Sequence, residues 1–336
     1  MATAQVTIVG LGYIGGSIGL ALKESSASAQ IEITGHDKDP LIARAARQKG
    51  AVDKVHWNLV AACEEADILV LAIPLGAIRD TLKAVGPYLK TGCVITDTAT
   101  VKGPVLKWAR EILPDTVHFV GGNPIINLTA GAGPFSGLDA AKADLFKDVL
   151  YCLTPAPDAD PDAVELIASL VQQLGALPYF LDPAEHDGLI AAVEHLPAVL
   201  TAVLLDVTSR TPTWREMRRL AGVAYRDSTR LTSEDATENR EVCLINRENL
   251  VRWIGLCQEE LEAWKQALMA QDTEALDDWF QQGIEARAGW LRAAQSGDWD
   301  AAAPRTVEMR SAGSFFSQLL GLGGLRERMK REPPEE

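Results

Sequence analysis

The chain has 336 residues, enough for two domains and for a buried core that needs neither disulfide nor metal to hold it. Apolar residues make up 47% and charged residues 23%, which excludes wholesale disorder and fibrous repeats. With 32 basic against 46 acidic side chains the net charge is −14; so acidic a chain offers no electrostatic footprint for nucleic acid or an anionic bilayer, and suits a protein that handles small molecules.

Gln5–Val9 predicts a buried strand, and the glycine run Gly10-Leu11-Gly12-Tyr13-Ile14-Gly15 leads from it into a helix reaching about Glu24. In such a run the first glycine permits a tight turn, the second lets backbone approach a pyrophosphate, and the third allows close helix–strand contact. The phosphates then rest on free amides at the positive end of the helix dipole. Ile31–His36 predicts the second strand, and Asp37 at its end lies 22 residues beyond Gly15. A carboxylate there would accept from ribose hydroxyls and repel a 2′-phosphate, favouring NAD, while the neighbouring Lys38 leaves NADP open.

A helix opens at Asp39-Pro40, and Ile68–Ile73 is a short apolar run suited to the interior of a parallel sheet. Ile73, Pro74 and Thr98, at the ends of this strand and the next (Val94–Asp97), complete the expected cofactor-facing set. Lys102–Leu113 and Asp162–Leu174 predict helices; Phe119–Gly122, Val149–Thr154 and Leu177–Phe180 predict strands. This alternation means βαβ units, an α/β Rossmann-type doubly wound sheet. The texture changes after Leu181. Asp182-Pro183-Ala184-Glu185 is a capping box, and from it to about Ala294 only helical periodicity is visible. The expected organisation is a dinucleotide-binding Rossmann domain over 1–181, an all-α domain over 182–297, and a loosely packed tail over 298–336 in which Phe315–Leu325 reads as a docked helix.

Five cysteines without a CxxC pair read as reduced thiols of a cytoplasmic protein, and five histidines without HxxxH or HExxH give no metal site. The longest apolar stretch, Ile68 to Ile78, falls well short of the ~20 residues of a membrane span. The N-terminus runs straight into a strand, so no signal peptide is expected.

On the substrate side, residues 96–103 put hydroxyls and a lysine at the carboxyl end of a strand, where open α/β sheets bind ligands; a plain helix cap is the other reading. GLGYIGGS, DTATVKG (97–103), FVGGNP (119–124), HDGLIAAVEHLP (186–197) and TRLTSEDATENREVCLINREN (229–249) follow in that order. In these stretches the chain resembles the prephenate/arogenate dehydrogenase family, over roughly residues 5–290. The resemblance implies a Rossmann domain followed by a helical dimerisation domain, hence a homodimer. It also implies NAD(P)-dependent oxidative decarboxylation of a small anionic cyclohexadienyl acid in tyrosine biosynthesis. Hydride leaves C4, carbon dioxide is lost and the ring aromatises, so the protein mainly positions the substrate and polarises its C4 hydroxyl.

Carried over residue by residue, Thr100 stands where the family has a serine, and Arg230 matches the arginine that grips a carboxylate. The family histidine position is Asn123, which can hydrogen-bond but cannot take a proton near neutral pH. In place of Ser-His-Leu-Pro-His the chain reads Glu194-His195-Leu196-Pro197-Ala198, and Asn239 stands where a tryptophan is common. The loop IINLTAGAGPFSG (125–137) is longer and richer in glycine than usual. These departures fall on the substrate half and imply an altered substrate or reduced turnover.

On an ideal helix His195 shares a face of small residues with Gly188, Ala191, Ala198 and Ala202. It reads either as the surviving acid/base beside Thr100 and Asn123 or as a helix–helix contact. Pro197 would kink this helix toward the cleft. His186, about 180° round the helix from His195, is expected on the other face with a structural role, as is His118 in its strand. Arg226, four residues before Arg230, either joins it in a dicarboxylate pocket or pairs with a surface carboxylate. Three functions stay open: dehydrogenation of prephenate; the same chemistry on a 4-amino analogue, with the Asn123 carbonyl accepting from the amine; and a non-catalytic NAD-binding dimer that senses aromatic metabolites.

Overall fold

The computed structural model describes residues 3–126, 137–230 and 235–296. The chain divides into two compact units, one holding the sheet and running to Arg247, the other starting at Glu248. The tail, including the segment 315–325 expected to dock as a helix, and most of the glycine-rich loop lie outside the described residues.

The first unit is built on an eight-stranded sheet of β1 (Ala4–Val9), β2 (Ile31–His36), β3 (Lys54–Val55), β4 (Ile68–Leu71), β5 (Val94–Asp97), β6 (His118–Pro124), β7 (Leu150–Pro155) and β8 (Leu177–Phe180). Their order is β3-β2-β1-β4-β5-β6-β7-β8, so the winding reverses between β1 and β4. All described pairings are parallel except β6 with β7, where Asn123 faces Cys152 and Gly122 faces Leu153. The sheet is therefore mixed rather than uniformly parallel. A reversed strand needs no helical crossover, and the described part of the β6–β7 connection holds only short turns such as Leu138–Ala140.

The strands are apolar because both faces are covered; all of β4, Ile-Leu-Val-Leu, is buried. On one face Leu69, Leu71 and Ile95 pack with Ile78 and Leu82 of α4 (Leu75–Val85) and Val105 and Ala109 of α5 (Gly103–Ile112). α1 (Tyr13–Glu24) and α6 (Pro161–Gln173) bury Ile18, Leu22, Leu166 and Ile167 against the sheet. Side-chain caps set several of the helix starts. Asp39 holds α2 (Pro40–Gln48), Asn58 holds α3 (Leu59–Cys63), and Asp182 accepts the amides of Ala184 and Glu185 to open α7 (Pro183–Ile190), as its capping box predicts. Among the helices packed on the sheet, α1, α4 and α5 have no side-chain cap of their own, and all three open at the site described below.

From α7 the backbone continues without a break through a π-helical turn, Ala191–His195, into α8 (Leu196–Ser209). α9 (Trp214–Leu220), α10 (Val223–Ser228) and α11 (Ala236–Ile245) follow, still in the first compact unit, so the compact division falls later than the change of texture at Leu181. The rod 183–209 has a mean hydropathy of 1.9 over its most apolar window and is, by length and composition, able to cross a membrane. Polar residues such as Glu194 and His195 break the rod into short apolar pieces, so no long uninterrupted stretch marks it in the sequence. Leu200, Val203 and Val207 leave an apolar stripe of α8 exposed. In the second unit α12 (Arg247–Ala270) and α13 (Thr273–Ser296) are joined at Gln271, and Trp264 stacks on Trp279 at 5.0 Å.

Candidate active site

The glycine run sits at the reversal of strand order. Gly10 has φ of 88°, and a Cβ there would collide with the carbonyl oxygen of Ala72, just past β4. A Cβ on Gly15 would collide with the carbonyl of Gly10. These two glycines are required by backbone contact. Gly12 is different: a Cβ there would meet nothing within 4 Å. Its open face adjoins Tyr13 and Ile14, where α1 begins without a side-chain cap, so the first amides of the helix are presented outward. That is a cradle that fits a pyrophosphate.

Asp37 anchors this loop. Its Oδ2 accepts the Leu11 amide at 2.8 Å and its Oδ1 the Asp39 amide at 2.9 Å, leaving a second lone pair on each oxygen. Beyond it lies a cavity of about 590 Å³ lined by His36, Asp37, Lys38, Arg44, His56 and Trp57 among others. The Arg44 guanidinium lies 5.2 Å from the Trp57 ring centre. The cations beside Asp37 suit either form of the dinucleotide. At the next strands, Ile73 and Pro74 lead from β4 into α4, and the Thr98 amide donates to the Leu71 carbonyl at 3.2 Å.

The loop after β5 is held from within. Lys102 is fully buried, and its Nζ donates to Asp97 Oδ2 at 2.5 Å and to the Gly122 carbonyl at 2.6 Å, while Asp97 Oδ1 accepts the Gly122 amide at 3.1 Å. Burial pushes the Lys102 ammonium below the usual lysine range, against the pull of Asp97. The lysine of the DTATVKG stretch thus stitches β5 to β6, and Thr100 rides on the loop it fixes.

The helical half meets this loop through Asp187. Its carboxylate accepts the amides of Lys102 at 2.6 Å and Gly103 at 2.9 Å, capping α5 from a distant segment. It also faces His186 Nδ1 at 3.0 Å, and His186 Nε2 lies 3.1 Å from the amide nitrogen of Asn123. The Asp187 carbonyl accepts from Asn246 Nδ2, which also reaches His195 Nδ1 at 3.2 Å, and His195 Nε2 lies 3.2 Å from Thr100 Oγ1. Asn123, His186, Asp187, His195 and Asn246 are all buried.

One expectation is overturned here: His186 is not on an opposite face from His195. The π turn at Ala191–His195 inserts one residue per turn, which removes about 100° of rotation and leaves the two rings roughly 80° apart instead of 180°. The turn lies just before Pro197, whose missing amide the backbone must accommodate. Burial pushes His195 down to about 4, reinforced by His186 and opposed by Asp187, so its ring is neutral at physiological pH. In this setting the neutral ring orients the Thr100 hydroxyl. Next to it, burial and then Glu238 push the Glu194 carboxyl up to about 7. His118 keeps a buried, unpartnered Nε2 in its strand.

Arg226 does not turn inward: 72% of its side chain is exposed and its Nε donates to Asp227 at 2.8 Å, the surface pairing rather than the dicarboxylate pocket. Arg230 is exposed just after α10, and its charge helps hold Asp227 below the usual carboxylate range.

The sequence profile of the prephenate dehydrogenase nucleotide-binding domain matches residues 18–179, and that of the prephenate dehydrogenase dimerization domain matches residues 182–282. The chain belongs to the prephenate dehydrogenase family. The prephenate dehydrogenase of Lactococcus lactis is 31% identical over 84% of this chain and 76% of its own length. The cyclohexadienyl dehydrogenase of Zymomonas mobilis is 29% identical over 84% of this chain and 94% of its own. Prephenate dehydrogenase from Aquifex aeolicus, solved with hydroxyphenyl propionate and NAD+, superposes with a TM-score of 0.78 at 25% identity, covering 86% of this chain and 99% of that one.

As a member of the prephenate dehydrogenase family, the chain is an oxidoreductase with a nucleotide-binding domain and a dimerization domain. Sequence reasoning reached Thr100, Asn123 and His195 but missed Asp187, the residue that joins them, and Asn246. Asp187 stands beside His186 in the quoted HDGL stretch, and only the fold shows that it caps a helix begun at Gly103.

Proposed function

We propose that this chain oxidatively decarboxylates a cyclohexadienyl acid of the prephenate class, using NAD with NADP as the alternative, as a cytoplasmic homodimer joined through its helical domain. The observation that carries this reading is the convergence of two hydrogen-bonded chains, Asn123–His186 and Thr100–His195–Asn246, on Asp187. They meet at the carboxyl end of β5 and β6, on the sheet edge that also presents the glycine cradle.

NAD, when bound, supplies the hydride acceptor; Gly12 and the first amides of α1 hold its phosphates, and Asp37 its ribose. The chain's own residues position the substrate. Thr100 presents a hydroxyl oriented by neutral His195, Asn123 presents an amide oriented by His186, and Arg230 grips a carboxylate. The exposed stripe Leu200, Val203 and Val207 on α8 suits a second copy of the chain.

The test is spectrophotometric: purified protein, NAD or NADP, and either prephenate or arogenate. Reduction of the dinucleotide with release of carbon dioxide supports the reading. Dinucleotide binding without reduction on any cyclohexadienyl acid would replace it with a sensor.

A further inference from the structure

We propose that Asn123 selects a cyclohexadienyl acid carrying an amino group at C4 in place of the hydroxyl. This rests on the dehydrogenase reading above and specifies its substrate.

The orientation of the Asn123 amide follows from its neighbours. His186 Nδ1 faces Asp187 Oδ1 at 3.0 Å, and a carboxylate only accepts, so the ring proton sits on Nδ1. Nε2 then carries a lone pair, and the group 3.1 Å from it must be the Asn123 NH2. Turning the amide over would set two acceptors face to face unless the buried ring took a second proton. One N–H of the amide is committed to His186, which leaves Asn123 its carbonyl oxygen and one further N–H, neither of which can take a proton near neutral pH. The same logic fixes Thr100. Asn246 Nδ2 donates to His195 Nδ1, so His195 Nε2–H donates to Thr100 Oγ1, which keeps one lone pair and its own proton.

The Asn123 and Thr100 groups available beside C4 can therefore hydrogen-bond, but neither takes a proton near neutral pH. A C4 alcohol suits them poorly. It has one O–H to donate, and as hydride departs its oxygen becomes a strongly acidic oxocarbenium that a base must relieve. A neutral C4 amine has two N–H groups, one for Asn123 Oδ1 and one for Thr100 Oγ1 on the neighbouring strand exit. Its nitrogen lone pair is the stronger electron donor. The C4–H bond breaks and its electron pair leaves as hydride to NAD+, while the nitrogen lone pair forms C4=N and both N–H bonds are retained. The bond to the ring carboxylate then breaks, its electron pair returns through the ring to nitrogen, and carbon dioxide leaves. The products are an arylamine, carbon dioxide and NADH. The amine must enter as the free base, its ammonium proton given up to solvent on binding; from there no proton moves during hydride transfer or decarboxylation, so the site needs no base of its own.

The experiment compares prephenate with its 4-amino analogue on the wild-type enzyme and on N123H, following dinucleotide reduction. In parallel, calorimetry measures binding of the corresponding phenol and arylamine products. The wild type should favour the amino substrate by at least about tenfold in kcat/KM and bind the arylamine more tightly. N123H should raise prephenate turnover by about 10²-fold, the contribution of a restored proton acceptor, and lower the amino preference. Wild-type turnover of prephenate equal to or above that of the analogue overturns the assignment and leaves the dehydrogenase intact. N123S, a smaller acceptor without the amide, provides a second variant, and should lose the amino preference without gaining prephenate activity. Absence of reduction with either substrate and with arogenate sinks the dehydrogenase reading itself.

Discussion

The Asp187 carboxylate accepts the Lys102 backbone amide at 2.6 Å, so one residue both starts helix α5 and fixes the proton of His186. Replacing it by alanine should therefore do two kinds of damage. Two buried amides lose their cap, which is worth about 2 kcal/mol or more in urea unfolding, and turnover should fall by over tenfold. The amide of D187N can still cap but can also turn an NH2 toward His186, so that variant should keep most of the stability and lose activity. Equal loss of both quantities in the two variants would make Asp187 a purely structural residue.

Gly12 and Gly15 give opposite expectations within one loop. In G15A the new methyl meets the Gly10 carbonyl, so the domain should lose stability together with dinucleotide affinity. In G12A the methyl meets no protein atom, so the melting temperature should hold while affinity falls by at least about tenfold, because the methyl occupies the phosphate approach. Calorimetric titration with NAD beside thermal melts separates the two. A G12A protein that binds normally would move the phosphates elsewhere.

The two adjacent residues of the π turn should pull stability in opposite directions with pH. His195 has its folded value at about 4, below the ordinary 6.5, so the fold accepts only the neutral ring. Stability from it is full above 6.5 and declines as pH falls toward 4, by roughly 3 kcal/mol at most. Glu194, raised to about 7 from 4.5, is tolerated as the neutral acid: its contribution is full below 4.5 and declines as pH rises toward 7. Melting curves from pH 4 to pH 8 should lose their acid-side drop in H195N and their neutral-side drop in E194Q. Unchanged slopes in both variants would refute the burial account of these shifts.

The two arginines should separate cleanly. R226A removes an exposed side chain paired with its sequence neighbour Asp227, and neither stability nor KM should change measurably. R230A should raise KM for a carboxylate substrate by tenfold or more while leaving dinucleotide affinity alone. Equal, small effects of both would take the carboxylate grip away from Arg230.

The sheet was legible because most of its signals are local. Buried parallel strands read as apolar runs, and the caps Asp39 and Asp182 act within a few residues of their own positions. Even there the antiparallel pairing of β6 with β7 is not legible, since a strand's direction is set by its connection rather than its composition. The site was harder. Thr100, Asn123 and His195 could be placed by motif, but what each does depends on partners 51 to 95 residues away, joined through Asp187 and Asn246. The orientation of an amide or an imidazole is decided by the atom it faces. Arg226 stayed open between two readings for a related reason: helical spacing cannot tell an inward arginine from one claimed by the aspartate beside it.

The π turn at Ala191–His195 makes chain length itself a determinant of chemistry. Both imidazoles could be retained and the site still dismantled, because removing a single residue between them would swing every group upstream about a quarter of a circle away from its partners. The spacing between His186 and His195 is thus as much a part of the machinery as the rings, and a survey of relatives that scored identities while ignoring one-residue gaps would overlook it.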